Sequence, residues 1–323
     1  MRKKKLGLNG PEVSVVCFGT FPIGGGFGSV PRNQAIKTVH AALDAGINFI
    51  DTAEGYNDAE EILGEALADR RNEVFLATKI SRKNHSFDNI DEAIEQSLKK
   101  LKTDCIDLYQ IHGPQEKYPI EYTLERFIHH RDLGNIRYFG ISNFTPEQTI
   151  EAAQYTQIHS SQPRYNILFR DVEEELLPVT LKNGIGAIAH SVMAKGLLAG
   201  KYLPGHKFSS DDQRDSWEYY NGNEFKDVFI VTDILKEWSH SQGRELSELA
   251  IAWPTAHEVV TSSIVGFKKP EQAILNARAG NWELTNKDLN EIEDILNGYR
   301  LHFSHGNLNS DYAGFRDEGD NKN

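Results

Sequence analysis

Cysteine is scarce in this chain. Only Cys17 and Cys105 occur among 323 residues, both inside apolar, strand-like runs and far apart in sequence. A disulfide framework is therefore not expected, and both read as buried free thiols in a reducing cytoplasm. Long hydrophobic runs are missing as well. No apolar stretch approaches the roughly 20 residues of a membrane span. The basic opening MRKKKLG is followed by polar NGPE rather than by the apolar core of a secretory signal. Positive charge is in deficit: 35 Lys and Arg face 47 Asp and Glu, a formal net charge of −12. Nucleic acid and anionic membrane are both repelled by such a mean field, and neither is expected as a partner, although a local basic patch can still hold a phosphate. No metal is expected. What remains is the composition of a soluble globular protein, at a length that suits one α/β barrel as well as two domains.

Short apolar runs alternate with amphipathic stretches almost from end to end. VSVVCFGT, INFIDTA, VFLATK, CIDLYQIH, IRYFGIS, HSSQPRY, IGAIAHS and VTSSIVG read as eight strands. Helical patterns lie between them at about 32–45, 58–69, 88–101, 120–133, 146–156, 172–183 and 226–240, with another at about 270–279. Thr145-Pro146-Glu147 has the chemistry of a helix start. LTNKDLNEIEDILNGY adds a C-terminal helix. Alternating strands and helices imply parallel pairing, and eight such units predict a closed (β/α)8 TIM barrel over residues 1–300, with extended loops over its C-terminal mouth. An open doubly wound sheet is the alternative, but GTFPIGGGFGSV lacks the G-x-G-x-x-G spacing that its first turn requires. Residues 199–225 form a long aromatic-bearing loop of the kind that is functional or disordered. The tail 301–323 is polar; its last residues are expected to be disordered, and its His302–Phe315 part to be able to fold over the mouth.

Reactive groups of a barrel of this kind sit at the C-terminal ends of its strands. Those ends carry Asp51, Lys79 and His112, with Tyr56 in the loop after Asp51. Alone, a strand-end lysine is commonly a solvated terminus and a single histidine a structural one; together the four point to a site. Tyrosine, with an ordinary pKa of about 10, is a poor proton donor or acceptor near neutrality. An adjacent Lys79 ammonium is expected to lower that value, and Asp51 to keep the buried lysine charged. His112 is then placed to hold a substrate oxygen beside the tyrosine. The constellation suits proton transfer to oxygen coupled to another step, such as hydride transfer.

These motifs, in this order at successive strand ends, resemble the aldo-keto reductases from about residue 3 to residue 298. GINFIDTAEGY, LATK and DLYQIHGP are similar to the family's Asp, Tyr, Lys and His segments. IRYFGISNF and SQPRYN are similar to the segments that hold the nicotinamide carboxamide, which implies Ser142, Asn143 and Gln162 in that role. The resemblance also implies Thr20 and Asp51 on the cofactor side, and Phe21 with Tyr56 and His112 on the substrate side. AHSVMAKGLLAGKY resembles the seventh-strand motif, implying Ser191, Gly196 and Lys201 as cofactor contacts. His190 there replaces the usual stacking aromatic, and Val192 a usual proline. TSSIVGFKKPEQAILNARAG resembles the adenosine-phosphate site, implying Gly266, Lys268, Gln272 and Asn276. Asn57 replaces a usual glycine and is expected in a left-handed conformation.

The resemblance implies reduction of an aldehyde or ketone with a nicotinamide cofactor. Lysines beside a helix start favour a 2′-phosphate, so NADP is expected, NADPH before NADH, with Lys268 the discriminator and Lys269 more exposed. The small-molecule partner is read as a sugar or other polyhydroxy carbonyl, because Phe21, Phe87, Trp217, Tyr219, Tyr220 and Phe225 are interleaved with Asn57, Arg164 and Asn221. Two rivals stand beside this reading. One is a cofactor-binding regulatory or redox-sensing subunit of a membrane channel, as some members of the fold family are. The other is a class I aldolase that uses Lys79 as a Schiff base; Asp51 beside it argues the other way.

Overall fold

The computed structural model describes residues 1–81, 87–115, 117–216 and 226–298. The chain starts with an antiparallel hairpin, β1 (Lys3–Lys5) on β2 (Glu12–Ser14). Then come β3 (Val16–Gly19), β4 (Phe49–Asp51), β5 (Phe75–Ile80), β6 (Ile106–Ile111), β7 (Ile136–Ser142), β8 (Ser160–Gln162), β9 (Gly186–Ala189) and β10 (Val260–Gly266). All eight pair in parallel with their neighbours, and β10 returns to β3 to close the barrel. The intervening helices are α1 (Arg32–Asp44), α2 (Ala59–Ala66), α3 (Phe87–Leu101), α4 (Ile120–Asp132), α5 (Pro146–Tyr155), α6 (Leu176–Lys182), α7 (Lys226–Ser241), α8 (Leu246–Ala252) and α9 (Pro270–Ala277), followed by α10 (Asn286–Gly298). Thr145 caps α5 reciprocally with Gln148, as its sequence predicts.

The period of two along each strand sorts its residues by chemistry. Outward-facing Val16, Phe18, Ile50, Leu76, Tyr109 and Phe139 join helix residues such as Val39, Leu63, Ile94 and Phe127 in one large core. Inward-facing Cys17, Phe49, Ala77, Leu108 and Ile188 pack with Leu6 and Val13 of the hairpin, which seals the N-terminal end. Two residues further along, the same inner face carries Gly19, Asp51, Lys79, Gln110, Gln162, His190 and Gly266. The interior thus changes from apolar to polar one layer below the mouth.

Three details differ from the sequence reading. VSVVCFGT is not one strand, because Val13 belongs to the hairpin and the barrel strand begins at Val16. The helix expected at 172–183 is broken into a 3-10 turn, Asp171–Glu173, and α6. Pro178 explains the break, since its ring clashes with the carbonyl one turn earlier. Helix α8 had no counterpart in the sequence reading, although Glu248 caps the Glu245 N–H at 3.1 Å and so carried a start signal. Cys17 is buried and Cys105 only partly covered; both are free. Among the described residues no helix is long and apolar enough to cross a membrane. Trp217, Tyr219, Tyr220, Asn221, Phe225, the Phe87 side chain and the tail 301–323 lie outside the described residues.

Several acids are buried away from Asp51, Glu60 among them. Glu60 on α2 accepts from Thr78 Oγ1 at 2.7 Å. Burial raises its pKa above the ordinary 4.5, against the opposing pull of Thr78 and Ser97. A carboxyl whose pKa is raised by folding contributes stability that is complete below its unfolded pKa and is lost as pH rises through the folded one. Glu60→Gln is therefore expected to lose less stability than the parent as pH rises from the unfolded value upward. Urea midpoints across that range check this; parallel pH profiles for the two proteins would refute it.

Candidate active site

The Lys79 side chain is wholly buried at the end of β5. Its Nζ donates to Asp51 Oδ1 and, at 2.8 Å, to the Thr52 carbonyl. The second Asp51 oxygen accepts from Gln110 Nε2 at 2.9 Å and Gln162 Nε2 at 3.0 Å, and Gln162 Nε2 also donates to Gln110 Oε1 at 3.0 Å. Room for this network comes from Gly140, where a Cβ would lie 2.8 Å from Gln110 Cγ and 2.2 Å from Ser160 Oγ. Burial pulls the lysine pKa down, but the Asp51 carboxylate, Tyr56 and the hydrogen bond to Asp51 outweigh it, and the net direction is up. Lys79 is a fixed ammonium.

Tyr56 is delivered by a tight turn after β4. Asn57 follows it in the left-handed conformation, φ 48°, and donates from Nδ2 to the Gly24 carbonyl at 2.6 Å. Any side chain at Gly24 would meet the Tyr56 carbonyl at 2.3 Å, so the two loops can close only over glycine. The Tyr56 ring centroid is 5.1 Å from Lys79 Nζ, and its hydroxyl is 3.5 Å from His112 Nε2. Phe21 packs edge-on against it at 5.2 Å. Asp51, Tyr56, Lys79 and His112 thus converge as expected. The expected lowering of the tyrosine pKa does not occur in this structure. Burial raises it, and the opposing pull of Lys79, itself offset by Asp51, only limits the rise. Desolvation opposes ionisation of this phenol more strongly than the nearby ammonium favours it.

The remaining predicted positions ring the mouth. Thr20 Oγ1 donates to the Asp51 carbonyl at 3.2 Å, and Ser142 Oγ to the Gln162 carbonyl at 3.0 Å. Asn143, itself left-handed at φ 63°, donates from Nδ2 to the His112 carbonyl at 2.9 Å. Beyond β9, Ser191, Ala194, Lys195, Gly196 and Gly200 all have positive φ. The Ala194, Gly196, Leu198 and Gly200 N–H groups close turns onto the Ser191, Met193 and Leu197 carbonyls, and backbone strain of this kind in non-glycine residues clusters at functional segments. Gly266 ends β10, and Lys268 lies between it and α9. Gln272 Oε1 accepts from the Lys268 and Lys269 N–H groups at 2.8 and 3.2 Å, so it shapes that turn. Asn276 is buried on α9. Lys201 stands apart: it is exposed, with its ammonium 5.0 Å from the Tyr202 ring centroid. Amide and hydroxyl side chains around Asp51, a strained loop after β9 and a lysine near the start of α9 are the features of the mouth that could hold a nicotinamide dinucleotide.

The comparisons with known proteins agree with this geometry. The profile of the aldo/keto reductase family matches residues 15–297. The chain belongs to the aldo-keto reductase family. It is 35% identical to the aldo-keto reductase YhdN of Bacillus subtilis, over 92% of this chain and 94% of that one. It is 33% identical to a probable voltage-gated potassium channel subunit beta of Oryza sativa, over 86% and 91%. With the NADH-specific methylglyoxal reductase of Escherichia coli it shares 32% identity, over 91% and 98%. Among solved structures, the glycerol dehydrogenase of Gluconobacter oxydans superposes with a TM-score of 0.84 at 30% identity, over 93% and 96% of the two chains. This aldo-keto reductase is an oxidoreductase that reduces a carbonyl compound with a nicotinamide cofactor.

Two parts of the reductase site were not in the sequence reading. Gln110, the second amide on Asp51, sits two residues before His112, so strand alternation alone would have put it on the inner face. The other part is a clasp between distant loops. Arg214 pairs with Asp212, and its guanidinium lies 4.8 Å from the Phe27 ring centroid and 4.2 Å from that of Phe208. Ser29 N–H donates to Asp211 at 3.2 Å. These contacts join segments almost 200 residues apart, and no local pattern announces them.

Removing one member of the buried pair leaves the other charge stranded. Lys79→Met is expected to destabilise the fold by about 3–5 kcal/mol, whereas the double variant Lys79→Met, Asp51→Asn should recover part of that loss. Denaturant titration of the three proteins checks this, and a double variant no more stable than the single one would refute it.

Proposed function

We propose that Tyr56 is the general acid of the carbonyl reduction, with Lys79 and Asp51 as its electrostatic support and His112 as the group that orients the substrate oxygen. The observation that carries this is the Tyr56 hydroxyl 3.5 Å from His112 Nε2, with the Lys79 ammonium 5.1 Å from the same ring's centroid. A bound reduced nicotinamide supplies the hydride. The carbonyl oxygen, held between Tyr56 and His112, takes the phenolic proton as negative charge develops on it. Lys79, an ammonium with no free electron pair, is unsuited to a Schiff base. Similarity to a channel subunit supports a second reading, a redox-sensing module, in which turnover is slow even with the site intact. Tyr56→Phe is expected to keep cofactor affinity and to lower turnover by about 10²–10⁴-fold. Near-normal turnover in that variant would refute the assignment, and negligible turnover in the parent would favour the sensing role.

The cofactor we propose is NADPH in preference to NADH. Lys268 supports it as a partly covered ammonium at the turn into α9, with Lys269 more exposed beside it. Burial lowers the Lys268 pKa; Asp212 and Asp211 pull it up, while Arg214 adds to the lowering. Those two carboxylates also oppose a 2′-phosphate, so the preference is modest, in keeping with an NADH-specific relative. Lys268→Ala is expected to raise the dissociation constant of NADPH by about tenfold and that of NADH little. Fluorescence titration with both cofactors decides it, and equal weakening would refute the role. The substrate we infer is a small polyhydroxy carbonyl, supported by the mixture of polar Asn57 and Arg164 with aromatic Phe21 among the loop residues. The organisation we infer is one barrel over residues 1–300. Free Cys17 and Cys105 support a cytoplasmic enzyme.

A further inference from the structure

The hydrogen bonds of His190 give it a task that a phenyl ring cannot perform. Its Nε2 lies 3.0 Å from Asn143 Oδ1 and its Nδ1 2.9 Å from Ser191 Oγ. The proton positions follow from one fixed point. The His112 carbonyl can only accept, so the Asn143 atom 2.9 Å away must be the amide nitrogen. The other end of that amide is then its oxygen, which also only accepts. His190 Nε2 must therefore carry a proton. In a neutral ring Nδ1 is then bare, and it accepts from the Ser191 hydroxyl.

We propose that His190 is a positioning residue of the reductase: its Nε2–H locks the flip of the Asn143 amide, which in turn holds the His112 backbone in place and keeps an N–H donor facing the nicotinamide carboxamide. The inference rests on the cofactor site proposed above. Ser191 and Asn143 are both left-handed, at φ 57° and 63°, so the relay joins two strained turns at the ends of β7 and β9. The charged and titratable groups that act on the ring are Arg164, Lys79 and Lys195. With burial as the largest cause, they depress its pKa to about 3. The relay thus keeps one protonation state across the neutral range.

Two experiments test this, one without turnover. Nitrogen-15 NMR of the intact enzyme is expected to show His190 as the Nε2–H tautomer with no titration between about pH 5 and 9. An Nδ1–H tautomer, or a ring that titrates there, overturns the proposal. His190→Phe keeps a stacking ring but has no donor. Its turnover is expected to fall about tenfold, with cofactor dissociation constants changed far less, and His190→Gln, which restores an N–H donor, to recover part of the loss. Unchanged turnover in the phenylalanine variant overturns the proposal. So does a loss of cofactor affinity that matches the loss of turnover and is not recovered by glutamine, since that describes a platform rather than a relay. Absence of dinucleotide binding by the parent would instead sink the cofactor reading, while the tautomer result would still stand.

Discussion

The buried contact between Lys79 and Asp51 constrains everything around it. A carboxylate and an ammonium taken out of water each cost several kcal/mol or so, and their mutual attraction offsets that only if the remaining lone pairs and protons are satisfied. That requirement accounts for Gln110, Gln162 and the Thr52 carbonyl. Each supplies a hydrogen bond that the pair would otherwise have made to solvent. Gly140 follows in turn, because the Gln110 side chain occupies the space a Cβ would need.

The barrel makes this arrangement possible through register rather than through any single residue. Strand pairing sets Gly19 beside Asp51, and Lys79 beside Gln110 beside Gly140. With a period of two, a one-residue slip in any strand would turn its polar member out among the helices and an apolar one in. The apolar layer beneath, which includes Phe49, Phe75 and Leu108, therefore does more than fill space. It pins the register that delivers the charged layer above it.

The same regularity explains which features could be read from sequence. Eight strands, their order and the four convergent groups were legible because each depends on local alternation and on a strand-end position. The N-terminal hairpin was hidden because Val13 and Val16 are equally apolar, and only tertiary pairing separates them. The direction of the Tyr56 pKa was misjudged for a different reason. Sequence shows which charges are neighbours but not how far the phenol is desolvated by the fold, and here burial is the larger effect. The Phe27–Arg214–Phe208 clasp depends on two loops meeting, which no periodicity encodes.

Burial at the mouth also imposes a common pattern on the proton carriers. Tyr56 is pushed toward its neutral, protonated form, and His190 toward its neutral imidazole, by the same desolvation. Lys79 escapes only because Asp51 is fixed against it. The fixed Lys79 ammonium is therefore set beside neutral donors. Negative charge developing on an oxygen beside Tyr56 would meet that cation in a medium where electrostatic forces are weakly screened, and no group would have to reorganise first. Ionising the tyrosine in advance would remove the proton that the oxygen needs. A raised tyrosine pKa is thus compatible with acid catalysis: it keeps the proton in place until the acceptor itself becomes basic enough to take it.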